Sequence, residues 1–84
     1  MTTWQVALVK EQGVNFAVVL VNDSVIGSPS QRDDLVQWWS RELGVPAVLL
    51  GERRFRSFGR SDIVRFLRNI HPARLPWRRM TTAA

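Results

Sequence analysis

The chain begins with two apolar runs that are rich in β-branched residues. They extend from Trp4 to Val9 and from Phe16 to Val21. The six residues between them are mostly polar, and Gly13 among them tolerates the positive φ that a tight connection needs. Apolar runs of this length, joined by a short polar segment with a glycine, are typical of a β-hairpin. The pattern therefore predicts two antiparallel strands.

The next segment carries the signals of an amphipathic helix. Ser28 suits the N-cap, Pro29 the first helical position and Gln31 the capping-box position. Gly44 is a natural C-terminal stop. At about 100° per residue the apolar side chains between these signals share one face of the helix. They are Leu35, Val36, Trp38, Trp39 and Leu43. We therefore expect a helix that begins at Pro29, ends before Gly44 and packs its apolar face on the sheet.

The second half of the chain predicts two more strands and a second helix. Ala47 to Leu50 is a short apolar strand, and Arg53 to Phe58 is a more exposed strand that places Arg54 and Arg56 on one face. Ser61 then caps a helix, which we expect to end at His71 because Pro72 follows it. The core-facing residues of this helix are Ile63, Val64, Phe66, Leu67 and Ile70.

These elements follow one another in the order ββαββα. The sequence thus predicts an α+β fold with a four-stranded mixed sheet and two helices. Residues 1–71 form a single domain in this interpretation, and residues 72–84 form a basic C-terminal tail.

Three of the predicted strands are apolar at successive positions, so both faces of the sheet need cover. If both helices lie on one face, the other face is a large apolar patch, which monomers rarely expose. We then expect a homodimer through that open sheet face. In the alternative, the two helices cover opposite faces and the tail completes the cover through Leu75 and Trp77.

Charge is distributed unevenly along the 84 residues, whose formal net charge is +5. Residues 1–51 contain three basic and five acidic side chains, whereas residues 52–84 contain nine arginines against Glu52 and Asp62. Such an asymmetry suits an anionic partner, which is nucleic acid, phosphate or an acidic protein. In the alternative interpretation, the arginines only keep the protein soluble.

The sequence offers little for catalysis. It contains no cysteine and a single histidine, His71, which excludes thiol chemistry and makes a transition-metal site improbable. Asp33 and Asp34 fall in the first turns of the first helix, where carboxylates complement the helix dipole. No phosphate-binding glycine loop or serine-nucleophile motif occurs. We expect a non-catalytic protein with no metal and no cofactor. The absence of a signal peptide and of a long apolar run favours a cytoplasmic location with no membrane association.

The arginines of the C-terminal third are the candidate site. A strand, the turn after it and the outer face of the next helix are contiguous, so their arginines are expected to converge on an anion; nearby aromatic rings suit base stacking. The candidate residues are Arg54, Arg56, Arg60, Arg65, Arg68, Trp77, Arg78 and Arg79. The functional hypothesis is a small binding domain for nucleic acid or another anionic partner. The alternative is a homo-oligomeric protein-interaction module with no nucleic-acid role.

Overall fold

A computed structural model describes residues 2–11, 13–53 and 56–82. This part of the chain forms five strands, three α-helices and one 3-10 helix. The strands are β1 (Thr2–Glu11), β2 (Val14–Val21), β3 (Ala47–Gly51), β4 (Ser57–Phe58) and β5 (Trp77–Thr82). The α-helices are α1 (Asp23–Ile26), α2 (Pro29–Leu43) and α3 (Ser61–Leu67), and the 3-10 helix is Pro72–Arg74.

The strands form one mixed sheet in the order β4-β3-β2-β1-β5. β1 pairs antiparallel with β2 and with β5, β2 pairs parallel with β3, and β3 pairs antiparallel with β4. The parallel neighbours β2 and β3 are joined by a crossover through α1 and α2, as parallel pairs require. The predicted hairpin, the helix from Pro29 and the strand from Ala47 are confirmed. Gly44 ends α2 in the left-handed conformation with φ of +70°.

The expected count of four strands and two helices is wrong. Residues 77–82, within the segment that we expected to be a tail, form β5 on the outer side of β1. α1 is an additional helix of four residues that occupies the start of the crossover, where the sequence indicated only the end of a strand. The α+β class and the mixed sheet are as expected.

The second predicted helix is shorter than its sequence pattern suggested. α3 ends at Leu67, because the next amides, Asn69 and Ile70, donate to carbonyls three residues earlier and tighten the chain into turns before Pro72. Its N-cap is Arg60, so Ser61 is the first helical residue and not the cap. β4 is reduced to Ser57–Phe58.

One face of the sheet is covered by α1 and α2. Trp39 is fully buried there against Val6, Val19 and Leu49. Its ring meets the edges of two other indoles, with centroid distances of 5.5 Å to Trp4 and 4.8 Å to Trp38. Edge-to-face pairs of this kind contribute stability beyond that of apolar burial. The core face that the sequence predicted for the helix from Pro29, which is α2, is therefore correct.

The other face is covered by α3 and the segment that follows it. Ile63, Leu67 and Leu75 are buried there against β-strand side chains that include Val18 and Val48. Both faces of the sheet are thus covered within one chain, which matches the alternative arrangement. The large open apolar face that motivated a homodimer is not formed in the described part of the chain, and the homodimer itself stays a prediction.

Within the described residues, no helix has the length and apolar character needed to cross a membrane.

Candidate anion-binding surface

The two layers that cover the sheet carry opposite charge. Residues 22–46, which we call the α2 layer, contain four carboxylates and two arginines. Residues 60–74, which we call the α3 layer, contain four arginines and one carboxylate. The arginines of the α3 layer are Arg60, Arg65, Arg68 and Arg74, and all of them are exposed. The charge asymmetry along the sequence is therefore also an asymmetry between the two sides of the molecule.

Arg65, Arg68 and Arg74 are the available cations of the α3 layer. Arg65 and Arg68 lie three residues apart, so they are neighbours on the helix surface. The buried side chains of Ile63 and Leu67 anchor the same helix to the sheet. Within the described residues, none of the three arginines has a carboxylate within the 4.0 Å of an ion pair. Arg74 was absent from the predicted set, although that set includes Arg78 and Arg79 of the same predicted tail.

Arg60 is already paired with a carboxylate of its own helix. Its Nε donates to Oδ1 of Asp62 at 3.0 Å, and the main-chain N–H of Ile63 donates to the same oxygen at 3.0 Å. Asp62 therefore occupies the first turn of α3 and offsets the charge of Arg60. The Ile63 N–H at the start of α3 is thus already bonded to a carboxylate of the chain itself. The pair is more than half exposed, so it contributes little to stability.

Arg56 stands apart from the arginines of α3. It precedes β4 and its carbonyl accepts a hydrogen bond from the Gly51 N–H at 2.8 Å, which places it at the β3–β4 connection. Arg60 lies after the opposite end of the same short strand. Whether these two residues converge with the arginines of α3, as the sequence predicted, stays a prediction. Arg54 lies outside the described residues.

β5 distributes its side chains between the two sides of the sheet. Arg79 pairs with Gln5 and Arg78 with Val6 in the antiparallel ladder with β1. Val6 belongs to the core under α2, so Arg78 is on the α2 side and Trp77 and Arg79 are on the α3 side. Trp77 is half-buried and packs against the core under α3. Arg79 therefore extends the basic surface of the α3 layer, whereas Arg78 does not.

Arg32 is a cation with a structural role. Its guanidinium lies 4.3 Å from the ring centroid of Phe58, and its Nη1 donates to the carbonyl of Ile26 at 3.2 Å. A guanidinium over an aromatic face is attracted by the ring quadrupole. Arg32 thus links α2 to the edge strand β4 and is not part of the candidate surface.

Two cavities lie near these elements. One of about 410 Å³ lies between α2 and the β4–α3 connection, and its polar lining includes Asp33, Gln37 and Arg60. The other, of about 320 Å³, lies at the start of β5. His71 lines neither of them. It is exposed, and its Nδ1 accepts a hydrogen bond from the Ala73 N–H at 3.1 Å, which is a turn-stabilising role. Among the described residues, no three side chains of the His, Cys, Asp and Glu types are grouped as metal ligands.

Comparison of the chain with protein-family models, with curated proteins and with solved structures gave no significant match.

Proposed function

We propose that this chain is a non-catalytic binding domain that binds nucleic acid across its α3 layer. The observation that carries this proposal is the separation of charge between the two layers of the fold. The surface formed by Arg65, Arg68, Arg74 and Arg79 faces one side of the sheet, and the carboxylate-rich α2 layer faces the other. A field of this shape attracts a polyanion to one side and repels it from the other.

The distribution of these arginines over three elements favours a polyanion over a small anion. They project from a helix, a 3-10 helix and an edge strand, and neither of the two cavities described above is lined by Arg65, Arg68, Arg74 or Arg79. A small phosphate is held by groups that converge on one point. A nucleic acid presents phosphates at regular intervals, so separated cations can each neutralise one of them. Guanidinium groups suit this contact because they offer planar, paired N–H donors.

The half-buried position of Trp77 limits its share in the interface. Its ring packs against the core under α3, so only the exposed part is accessible to a base. We therefore assign most of the affinity to phosphate contacts and little to stacking. Binding without strong sequence preference follows, because phosphate contacts carry no direct sequence information.

The proposal is tested by fluorescence anisotropy with a labelled mixed-sequence DNA or RNA, single-stranded and duplex, at low and at physiological salt. Saturable binding that weakens as salt rises is expected. The double substitution Arg65→Glu and Arg68→Glu reverses two charges of the α3 layer and should abolish binding at physiological salt.

Lys10→Glu with Arg41→Glu is the matched control. Lys10 is exposed at the end of β1 and Arg41 is exposed on α2, so the control makes the same change in net charge away from the α3 layer. The control should retain most of the affinity. Equal losses in the two double variants would mean that only net charge matters, and absence of binding at low salt would refute the proposal.

A further inference from the structure

β5 is an edge strand, and the hydrogen-bonding directions of its main chain can be deduced from the sheet register. The Ala17 N–H donates to the Pro46 carbonyl and the Val21 carbonyl accepts from the Glu52 N–H, so odd residues of β2 point towards β3. Even residues of β2 therefore point towards β1. Their partners in β1 are odd residues, such as Ala7 opposite Val18.

The same alternation continues into β5. Even residues of β1 point towards β5, where Val6 pairs with Arg78 and Trp4 with Met80. The main-chain N–H and C=O groups of Arg79 and Thr81 consequently point away from the sheet. β5 is the last strand in the described sheet on this side. Unpaired main-chain groups of this kind are a template for an additional strand.

The side chains at this edge define which strand fits. Arg78 and Arg79 are exposed on opposite sides of β5, so a strand beside it meets positive charge on both of its faces. At the start of β5 the cavity of about 320 Å³ is lined by Leu8, Pro76, Trp77 and Arg78. Leu8 is 45% exposed, which is high for a large apolar side chain. The edge therefore combines exposed main chain, positive charge and one apolar recess.

We propose that the outer edge of β5 binds an extended acidic segment of a partner protein, which adds to the sheet as a further strand. The main chain of the segment pairs with Arg79 and Thr81, its carboxylates contact Arg78 and Arg79, and one apolar side chain enters the recess beside Leu8. A second copy of this chain fits less well. Pairing β5 with another β5 brings like charges next to each other across the new ladder, which is unfavourable.

The probe is a fluorescein-labelled peptide of alternating glutamate and valine, and binding is followed by anisotropy. Arg79→Gln and Arg79→Pro form a matched pair, because both remove the charge but only proline removes the outward N–H. Arg79→Gln should weaken binding at most about fivefold, as expected for one exposed charge pair. Arg79→Pro should weaken it about tenfold or more beyond that, because strand pairing is also lost. A peptide of alternating lysine and valine should not bind.

Hydrogen exchange on the unmodified protein gives an independent readout that does not depend on how the proline variant folds. The amides of Arg79 and Thr81 should be unprotected in the protein alone and protected when the glutamate–valine peptide is present. The Arg78 and Met80 amides should be protected in both states. Protection of Arg79 and Thr81 that rises with protein concentration in the absence of peptide would assign the edge to self-pairing and overturn the proposal.

Equal affinity of the two Arg79 variants, with no gain in protection, would also overturn it, since the peptide would then be held by charge alone. Failure of this proposal can be distinguished from failure of the proposed nucleic-acid binding. Both Arg79 variants lose the same charge, so they should bind DNA equally even where they differ towards the peptide.

Discussion

The salt dependence of the proposed nucleic-acid binding has an expected size that follows from the number of arginines on the α3 side of the sheet. Arg60 is excluded because it is paired with Asp62, which leaves Arg65, Arg68, Arg74 and Arg79. If each neutralises one phosphate, the slope of log K against log salt is about −3.6 for a duplex and about −2.8 for a single strand. The affinity for a duplex then falls about 150-fold between about 50 mM and about 200 mM salt.

Neutralising two of these residues should halve the slope. With Arg65→Gln and Arg68→Gln the slope becomes about −1.8, and the same change in salt lowers the duplex affinity only about 12-fold. Glutamine is close to arginine in helix propensity, and both positions are exposed, so the fold should be unaffected. The measurement is a series of anisotropy titrations at several salt concentrations.

The control for this series is Lys10→Gln with Arg41→Gln, which should leave the slope of the unmodified protein unchanged. A slope that is shallow in the unmodified protein, or one that falls equally in both double variants, would refute the assignment of the phosphate contacts to the α3 layer. The slope is more informative than the affinity alone, because it counts contacts and is insensitive to small changes in stability.

Three further predictions concern stability and are measured by urea unfolding followed by circular dichroism. Trp39→Ala should lower the free energy of unfolding by about 3–5 kcal/mol, because the side chain is fully buried. Trp39→Phe should lower it by less than half of that, because phenylalanine keeps an apolar ring and removes a buried indole N–H that has no hydrogen-bond partner among the described residues. Gly59→Ala should cost about 1–3 kcal/mol, because φ is +153° and the added Cβ would lie 3.0 Å from a valine side chain of β3. Gly13→Ala should cost less, because φ is +80° there but the added Cβ would have no atom within 4 Å. Ser40→Ala should cost about 1–3 kcal/mol, because the Ser40 Oγ accepts the hydrogen bond of the buried Ala47 N–H at 3.0 Å. A cost below about 0.5 kcal/mol for Ser40→Ala, or similar costs for the two glycine variants, would contradict these assignments.

The elements that the sequence predicted correctly are those in which one signal dominates. β1 and β2 are long apolar runs, α2 combines a proline start with the left-handed Gly44, and β3 is short but wholly apolar. Each is determined mainly by its own residues. In these places local propensity and tertiary burial agree, which is the condition under which a sequence pattern can be trusted.

β5 could not be predicted because its burial follows no period. Its half-buried residues Trp77 and Met80 lie on opposite sides of the sheet, with two exposed arginines between them. Neither the alternation of a strand nor the stripe of a helix is visible in such a segment. β5 forms because its main chain pairs with β1. This pairing joins residues far apart in the sequence, so no local pattern predicts it.

The positions of the candidate arginines in the fold could be predicted only in part. Arg65 and Arg68 lie on one exposed helix surface, as expected. Arg60 proved to be paired with Asp62, and Arg78 and Arg79 proved to lie on opposite sides of the sheet. Side-chain direction in a strand depends on its register, and a register cannot be assigned to a strand that was not recognised.

The separation of charge is a consequence of topology. The crossover between β2 and β3 must pass over one face of the sheet, and this segment holds most of the acidic residues of the N-terminal half. The sheet then turns through β4, and α3 returns over the other face with the arginines of the C-terminal half. A chain whose charge changes sign after β3 thus becomes a molecule with one acidic and one basic side.

The same topology directs the chain to the β1 side of the sheet, so the basic segment also supplies the exposed edge strand. The two proposed partners, nucleic acid and an acidic strand, would therefore contact neighbouring parts of one basic surface, and Arg79, which belongs to both proposed sites, is the residue at which they would compete.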